Sequence, residues 1–416
     1  MFSVFTGGGE KISLFENLSK YVSDNRDEFC KAMVNKLVSF SFENIFGEGF
    51  DFFSTIFEYL VKDYNSDSGG KYAEYFTPHT VSKIIACCLV PDNSDSKISN
   101  VTCYDPSAGS GTLLMNLANQ IGEDKCTIFS QDISQKSSNL LRLNLILNNL
   151  VHSIHNHIQG NTLIEPAHKE NDFSIKVFDY VVSNPPFKLD FSDFRDELFK
   201  KENNDRFFAG IPKVPNKKKE AMAIYLVFIQ HVIYSLSDKG KAAIVVPTGF
   251  ITSQNGIAKN IRKKLVKDRI LEGVISMPSN IFANTGTNVS IIFINKIPQD
   301  KVILIDASNL GEKIKEGKNQ KTVLSKEDVQ KIIENFTKKN NIKDFSVQVD
   351  LNQLIEKSFS FSAGQYFDIE IEYEDISNDE FKDNLNENKK SLNKLFSISE
   401  SLKREILEKM EDLNLE

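Results

Sequence analysis

The chain has no tryptophan, only 11 prolines and only five cysteines in 416 residues. Cys30, Cys87, Cys88, Cys103 and Cys126 are odd in number and lack any C-x-x-C spacing. That excludes a disulfide framework and a zinc ribbon, and reads as buried thiols in a reducing compartment. Long apolar runs are missing as well. Ile84–Val90 and Ala221–Ile229 are too short to span a bilayer, and Met1 is not followed by a basic and then apolar signal segment. No membrane association and a cytoplasmic location are therefore expected. H-E-x-x-H and G-x-S-x-G do not occur, which removes zincin and serine-hydrolase chemistry. An excess of positive charge is also absent: 50 basic against 57 acidic residues leave a net charge of −7. Such a chain does not coat nucleic acid by bulk charge, so any contact of that kind is local or shared with a partner.

What remains is an ordinary globular composition, 26% charged and 40% hydrophobic, in a length that favours about two to three domains. Residues 1–66 mix Gly7-Gly8-Gly9 with a helical apolar face at Phe52, Phe53, Ile56, Phe57 and Leu60. A polar break at Asn65–Gly70 follows. From Tyr75 the pattern becomes strand, turn, helix, repeated. Strands are expected at Val101–Asp105, Cys126–Phe129, Val177–Val182, Lys241–Val246, Ile270–Ser276 and Val289–Ile294. Helices are expected over Thr112–Gln120, over a second segment whose end is Leu140–Leu150, and over Ala221–Leu236. This alternation predicts a mainly parallel sheet covered by helices on both faces, with ligands at the carboxyl edge of its strands.

After about residue 300 the pattern weakens through charged and polar stretches at Glu312–Lys321 and Asn335–Asp344. In the last segment Phe381, Leu385, Leu392, Leu395, Leu402, Ile406, Met410 and Leu413 recur at steps of three, four and seven. This is an amphipathic helix or coiled-coil stripe. The expected division is 1–66, 67–300, 301–375 and 376–416.

Two loops carry chemistry. Asp105-Pro106-Ser107-Ala108-Gly109-Ser110-Gly111 lies at a strand-to-helix junction, where glycines let the backbone pass close to a ligand and the helix offers free N–H groups. It is neither a P-loop nor G-x-G-x-x-G. Asp132 ends the next strand, where nucleotide-type folds place an acid for ribose hydroxyls. Asn184-Pro185-Pro186-Phe187 ends a later strand. Its prolines cannot continue a central strand. They stiffen a loop in which the Asn184 side-chain oxygen and a proline carbonyl can accept both protons of an exocyclic amine. Phe187 supplies a ring on which a base can stack, worth about 1–3 kcal/mol. His152, His155 and His157 read as a polar turn rather than a metal site, since no acid or cysteine stands at ligand spacing.

These two loops resemble those of the amino-group DNA methyltransferases that use S-adenosylmethionine. Three flanks narrow the resemblance: Glu74-Tyr75-Phe76-Thr77-Pro78, Ala242–Pro247, and Pro278-Ser279-Asn280-Ile281-Phe282 with Thr285-Gly286-Thr287-Asn288. In this order they resemble the modification subunit of type I restriction-modification systems, from about residue 50 to Phe361–Tyr366.

The resemblance implies a methyltransferase (Rossmann-like) fold with a mixed sheet, a short helical amino-terminal region and a terminal amphipathic helix. It implies that Glu74, Tyr75, Phe76, Thr77, Pro78 and His79, with Ser107, Ala108, Gly109, Ser110 and Gly111 after Asp105, surround the methionine part of S-adenosylmethionine. Asp132 would accept the ribose hydroxyls, and Gly160-Asn161-Thr162-Leu163 would border the adenine ring. The family usually has Asp where this chain has Asn161. Asn184, Pro185, Pro186 and Phe187 would receive an adenine flipped out of double-stranded DNA, whose N6 attacks the sulfonium methyl directly. The implied partners are a specificity subunit that reads the sequence, a second copy of the modification subunit, and a restriction subunit. Other readings of the same motifs are a non-catalytic scaffold, and methylation of protein or RNA amines.

Two basic runs remain. Lys213, Lys217, Lys218 and Lys219 follow the Asn-Pro-Pro loop and are candidates for DNA phosphate contact. Arg262, Lys263, Lys264, Lys267 and Arg269 lie on a helix and read as solvated.

Overall fold

The structure is a computed structural model. It describes residues 3–5, 11–13, 24–38, 77–91, 98–171, 174–200, 203–254, 256–282, 287–316, 319–367 and 377–412. The chain divides into two units, Met1–Phe367 and Asp368–Glu416. The helical face at Phe52–Leu60, the break at 65–70, and Glu74, Tyr75, Phe76, Thr285, Gly286 and Leu413 lie outside the described residues.

The first unit is built on a nine-stranded sheet. In chain order its strands are β1 Val101–Asp105, β2 Cys126–Asp132, β3 His157–Gln159, β4 Phe178–Ser183 and β5 Leu236–Pro247, then β6 Leu271–Ser276, β7 Val289–Asn295, β8 Lys301–Asp306 and β9 Ser346–Asp350. Their order across the sheet is β9-β8-β6-β7-β5-β4-β1-β2-β3. β7 runs antiparallel to both neighbours and β9 is antiparallel to β8, while the other pairs are parallel. The sheet is thus mixed, as the resemblance implies.

Both faces are buried, and the period of two along each strand shows how. Val182, Ala243, Val245, Ile291, Phe293, Ile303 and Ile305 point into one apolar core. Val181, Ala242, Ile244, Val246, Ile292, Ile294, Val302 and Leu304 point into another. The first core is closed by α1 His79–Leu89, α2 Thr112–Ile121, α3 Gln135–Leu147 and, after α4 Tyr225–Tyr234 and α5 Gly256–Lys267, by α6 Lys326–Lys338. α4 and α5 close the second. A strand covered on both sides needs apolar residues in succession, which is why β7 is buried at every position.

Strand order reverses beside β1, which has β2 on one side and β4 on the other. The crevice at such a switch point opens at the carboxyl ends of the strands. Asp105 and Ser183 are the last residues of β1 and β4, so the Gly-rich turn and the Asn-Pro-Pro loop leave the sheet side by side.

Several expectations are adjusted. β8 and β9 lie beyond residue 300 yet extend the same sheet, β8 pairing with β6. The charged stretch Glu312–Lys321 is an antiparallel hairpin, Glu312–Glu316 with Asn319–Val323. It is anchored by bonds from Thr322 N to Asn280 O and from Thr322 Oγ1 to Ser279 O. In the amino-terminal region, expected as helical, Arg26–Val38 is a helix, but Ser3–Phe5 pairs antiparallel with Lys11–Ser13. Arg262 is a correction: it is fully buried on α5, not solvated. Its guanidinium donates to Phe250 O, to Ser253 O at 2.5 Å and to Phe359 O at 2.7 Å. Among its described residues the second unit forms the helix α7 Asn378–Asp412, on which Phe381, Leu385, Leu392, Leu395, Leu402, Ile406 and Met410 are exposed.

Candidate active site

Gly109 and Gly111 hold positive φ, +53° and +84°, so the turn after β1 takes a shape that side-chain-bearing residues resist. Gly111 is the cap residue of α2 and provides no side-chain hydrogen bond, so the first N–H groups of the helix face outward. No atom lies within 4 Å of where a Cβ on Gly109 would stand. The turn is tied to its neighbours on both sides. Gly109 N donates to Asp132 Oδ2 at 2.8 Å, and the Ser107 and Ser183 hydroxyls meet at 2.8 Å across the switch point.

Asp132 also accepts from Ser134 N through Oδ1 at 2.8 Å. Each of its oxygens therefore accepts a backbone N–H, one from the Gly-rich turn and one from the start of α3. Asp105 is buried, at 1% exposure, and accepts from Ser107 N at 2.9 Å. Burial pushes its carboxyl up to about 8, the Ser107 bonds pull the other way, and the neighbouring Asp132 charge adds to the rise. A buried acid held protonated is poised to ionise against an incoming cation.

Asn184 follows directly on β4 and is 8% exposed. Its Nδ2 donates to Thr77 Oγ1 at 2.9 Å, which aims Oδ1 away from Thr77. That oxygen is buried and accepts no hydrogen bond from the described residues. Asn184 shares a recess with Thr77, Asp105, Ser107, Gly109 and Ser110, but the recess holds only about 20 Å³. This admits one water-sized group and no purine. Phe187 does not line it. The ring is 7% exposed and packs in the core, 6.4 Å from Tyr225 and edge-on to it. At that exposure no open face of the Phe187 ring is offered to a base, so stacking requires the ring to be uncovered.

Pro78 precedes α1 and His79 opens it, so Thr77 is carried to Asn184 by the start of this helix. Asn161 and Thr162 lie in the turn after β3. Leu163 N donates to Asn161 Oδ1 at 3.1 Å, and Thr162 Oγ1 donates to Pro106 O at 2.7 Å, joining this turn to the Gly-rich one. Ala108 is buried against the same core. The three histidines do local work in part: His152 Nε2 lies 3.1 Å from Cys126 O, and His157 Nδ1 lies 2.9 Å from Ser130 Oγ. Lys213, Lys217, Lys218 and Lys219 are exposed. Their loop is pinned near the Asn-Pro-Pro turn by Leu189 N to Met222 O and by Arg195 Nε to Pro212 O.

Sequence reading passed over Ser183, Tyr104, Arg206 and His231, which brace these loops from below. Ser183 carried a signal, since it ends the strand beside Asn184. The others carried none.

The donor set fits S-adenosylmethionine. Two carboxylates suit its cationic and ribose groups, the space at Gly109 suits a close-lying ligand, and a buried acceptor without a partner is left at Asn184.

A family model described as N-6 DNA methylase matches residues 48–375, more than half of the chain. The methylase subunit of the type I restriction enzyme MpnII from Mycoplasma pneumoniae is 29% identical over 359 residues, covering 84% of this chain and 63% of that protein. The EcoKI methylase subunit of Escherichia coli K12 is 24% identical over 304 residues, covering 68% and 51%. Among solved structures, the methyltransferase subunit of a type I restriction-modification system from Streptococcus thermophilus matches with a TM-score of 0.62 at 27% identity. That match covers 77% of this chain and 64% of the other. The chain thus spans about three fifths of the length of the first curated relatives it matches. These findings bear out the resemblance read from the motifs. No described helix is long and apolar enough to cross a membrane.

Proposed function

Because the chain belongs to the N-6 DNA methylase family, we propose that it methylates N6 of adenine in double-stranded DNA as the modification subunit of a type I restriction-modification complex. S-adenosylmethionine, when bound, supplies the methyl group. Glu74–His79 and Asp105–Gly111 would hold its methionine part, Asp132 its ribose, and Asn161 and Thr162 its adenine.

The observation that carries this reading is Asn184 Oδ1, a buried acceptor with no partner among the described residues, placed beside the Gly-rich turn. An acceptor so placed costs stability unless a ligand donor meets it. With the Pro185 carbonyl it would hold both protons of the target amine, so that the nitrogen lone pair stays out of the ring. Thr77 fixes which end of the Asn184 amide faces the recess. Phe187 would stack on the base once its buried ring is uncovered. Most of the rate enhancement would be positioning.

Sequence reading of DNA would belong to a specificity subunit, which the exposed apolar stripe of α7 is suited to meet. A second modification subunit and a restriction subunit would complete the assembly.

One observation favours a second reading. The recess is closed and Phe187 is buried, as a non-catalytic scaffold would have it. Substituting Asn184→Ala separates the two. With the specificity subunit present, transfer of labelled methyl groups to duplex DNA is expected to fall about 100-fold or more, with assembly retained. A variant as active as the parent overturns the enzyme reading of this loop. Label in protein or RNA, and none in DNA, would favour those substrates.

A further inference from the structure

Arg206 is 2% exposed, and no carboxylate among the described residues is bonded to it. Its charge is met by dipoles instead. Nη1 donates to Leu163 O and Nη2 to Thr162 O, both at 2.8 Å, and Nε donates to His231 Nδ1 at 3.0 Å. Burial and the Arg206 charge hold His231 neutral. With Nδ1 accepting, the imidazole proton sits on Nε2, which faces the Tyr104 hydroxyl at 3.3 Å. A buried guanidinium is costly, and this one stays in place because three acceptors converge on it.

Two of those acceptors belong to the turn after β3. The Thr162 carbonyl and the Leu163 N–H are the two ends of one peptide group. That N–H holds Asn161 Oδ1 at 3.1 Å. Arg206 therefore pulls on the oxygen of the peptide whose hydrogen orients Asn161, and bonds in such a chain strengthen one another. Thr162 Oγ1 fixes the same turn to Pro106 O.

We propose that Arg206 is a positioning residue for the adenine end of the cofactor, acting through the 162–163 peptide to set the side chain of Asn161. Oδ1 is engaged by the turn, and Nδ2 is the group left to face a ligand. The inference rests on the proposed methyltransferase reading, in which Gly160–Leu163 border the adenine. It adds a residue more than forty positions away in sequence, on the segment that follows the Asn-Pro-Pro loop.

The test is a double-mutant cycle read by calorimetric binding of S-adenosylmethionine to the full chain. Arg206→Lys keeps a cation but loses the fork that spans two carbonyls. Asn161→Ala removes the side chain that is positioned. Each substitution is expected to raise the dissociation constant roughly tenfold, the scale of one hydrogen bond removed. The double variant is expected to lose no more than about twofold beyond either single one, because one residue acts through the other. DNA affinity, measured separately, stays unchanged. Losses that multiply to about a hundredfold overturn the proposal, as does an Arg206→Lys or Asn161→Ala protein that binds like the parent. A merely structural role would lower melting temperature without this coupling. Should the lysine variant not fold, Arg206→Gln, which keeps donors without the charge, runs the same cycle. Failure of the parent protein to bind S-adenosylmethionine would defeat the functional reading itself. Binding by the parent with no effect at Arg206 defeats the inference alone.

Discussion

Asp105 is the group whose ionisation the fold opposes most clearly at the site. In the folded chain burial raises its carboxyl to about 8, whereas an unfolded aspartate titrates near ~3.9. Between those values the folded state holds a proton that the unfolded state has released. Stability therefore falls as pH rises through this window, by about 1.4 kcal/mol per pH unit, and levels off above the folded value. From pH 5 to pH 7 the loss comes to roughly 3 kcal/mol, on the order of 5 °C in melting temperature for a unit of this size. Asp105→Asn mimics the protonated acid, since its Oδ1 can still accept from Ser107 N but cannot ionise. The assay is thermal melting of parent and variant from about pH 5 to 8 at constant ionic strength. Their difference isolates this carboxyl, because every other group titrates in both. The variant's advantage is expected to grow by roughly 5 °C between pH 5 and pH 7. A difference that stays flat across the range would refute the reasoning. The same sign governs ligand binding. A cation docked against Asp105 favours the ionised form, so S-adenosylmethionine is expected to bind the parent more tightly at about pH 8 than at about pH 6. The variant is expected to lose that dependence.

Two further outcomes can be measured directly. Arg262→Met strips a shared donor from the carbonyls of Phe250, Ser253 and Phe359, and urea denaturation is expected to show a loss of at least about 3 kcal/mol. Lysine at this position is expected to recover only part of that loss, since it lacks the planar fork, and a methionine variant within about 1 kcal/mol of the parent would contradict the buried role. Replacing Lys213, Lys217, Lys218 and Lys219 by Gln is expected to weaken DNA binding and to flatten its logarithmic salt dependence by about one unit for each phosphate no longer neutralised, with cofactor binding unchanged. An unaltered slope places that loop off the DNA.

What was legible in the sequence was local. The carboxyl ends of β1 and β4 could be placed because glycine and proline interrupt apolar runs there, and the switch point follows once strands alternate with helices. Boundaries drifted where period gave no information. The apolar stretch from Ala221 to Leu236 reads as one helix, yet α4 covers only Tyr225–Tyr234 and β5 begins at Leu236. Leu226 to Ile233 are all buried, so no polar face marks where the helix ends. The hairpin after Glu312 was hidden for the opposite reason. Lys313, Ile314 and Lys315 are all exposed, so no alternation announces a strand. Its anchoring bonds run to Ser279 and Asn280, about forty residues earlier.

The two buried arginines show where local reading ends. Arg262 sits in a run of basic residues that looks solvated, and Arg206 stands among lysines, aspartates and asparagines that look like a loop. A guanidinium can leave water only where carbonyls converge on its donors in a plane. For Arg206 the carbonyl of Thr162 is 44 positions away, and for Arg262 that of Phe359 is 97 positions away. No window of sequence contains both partners. In a doubly covered sheet, though, turns gather where strands end, and their carbonyls lack ladder partners there. Arg206 engages the turn after β3, and Arg262 the short helix Gly249–Thr252 and its cap Ser253 after β5, together with the segment near Phe359. A buried arginine thus becomes predictable only after the topology is known, as a staple between turns that the strand order has brought together. On that argument, residues bracing a cofactor loop are to be sought among charges that the fold buries, not among those that the sequence marks as polar.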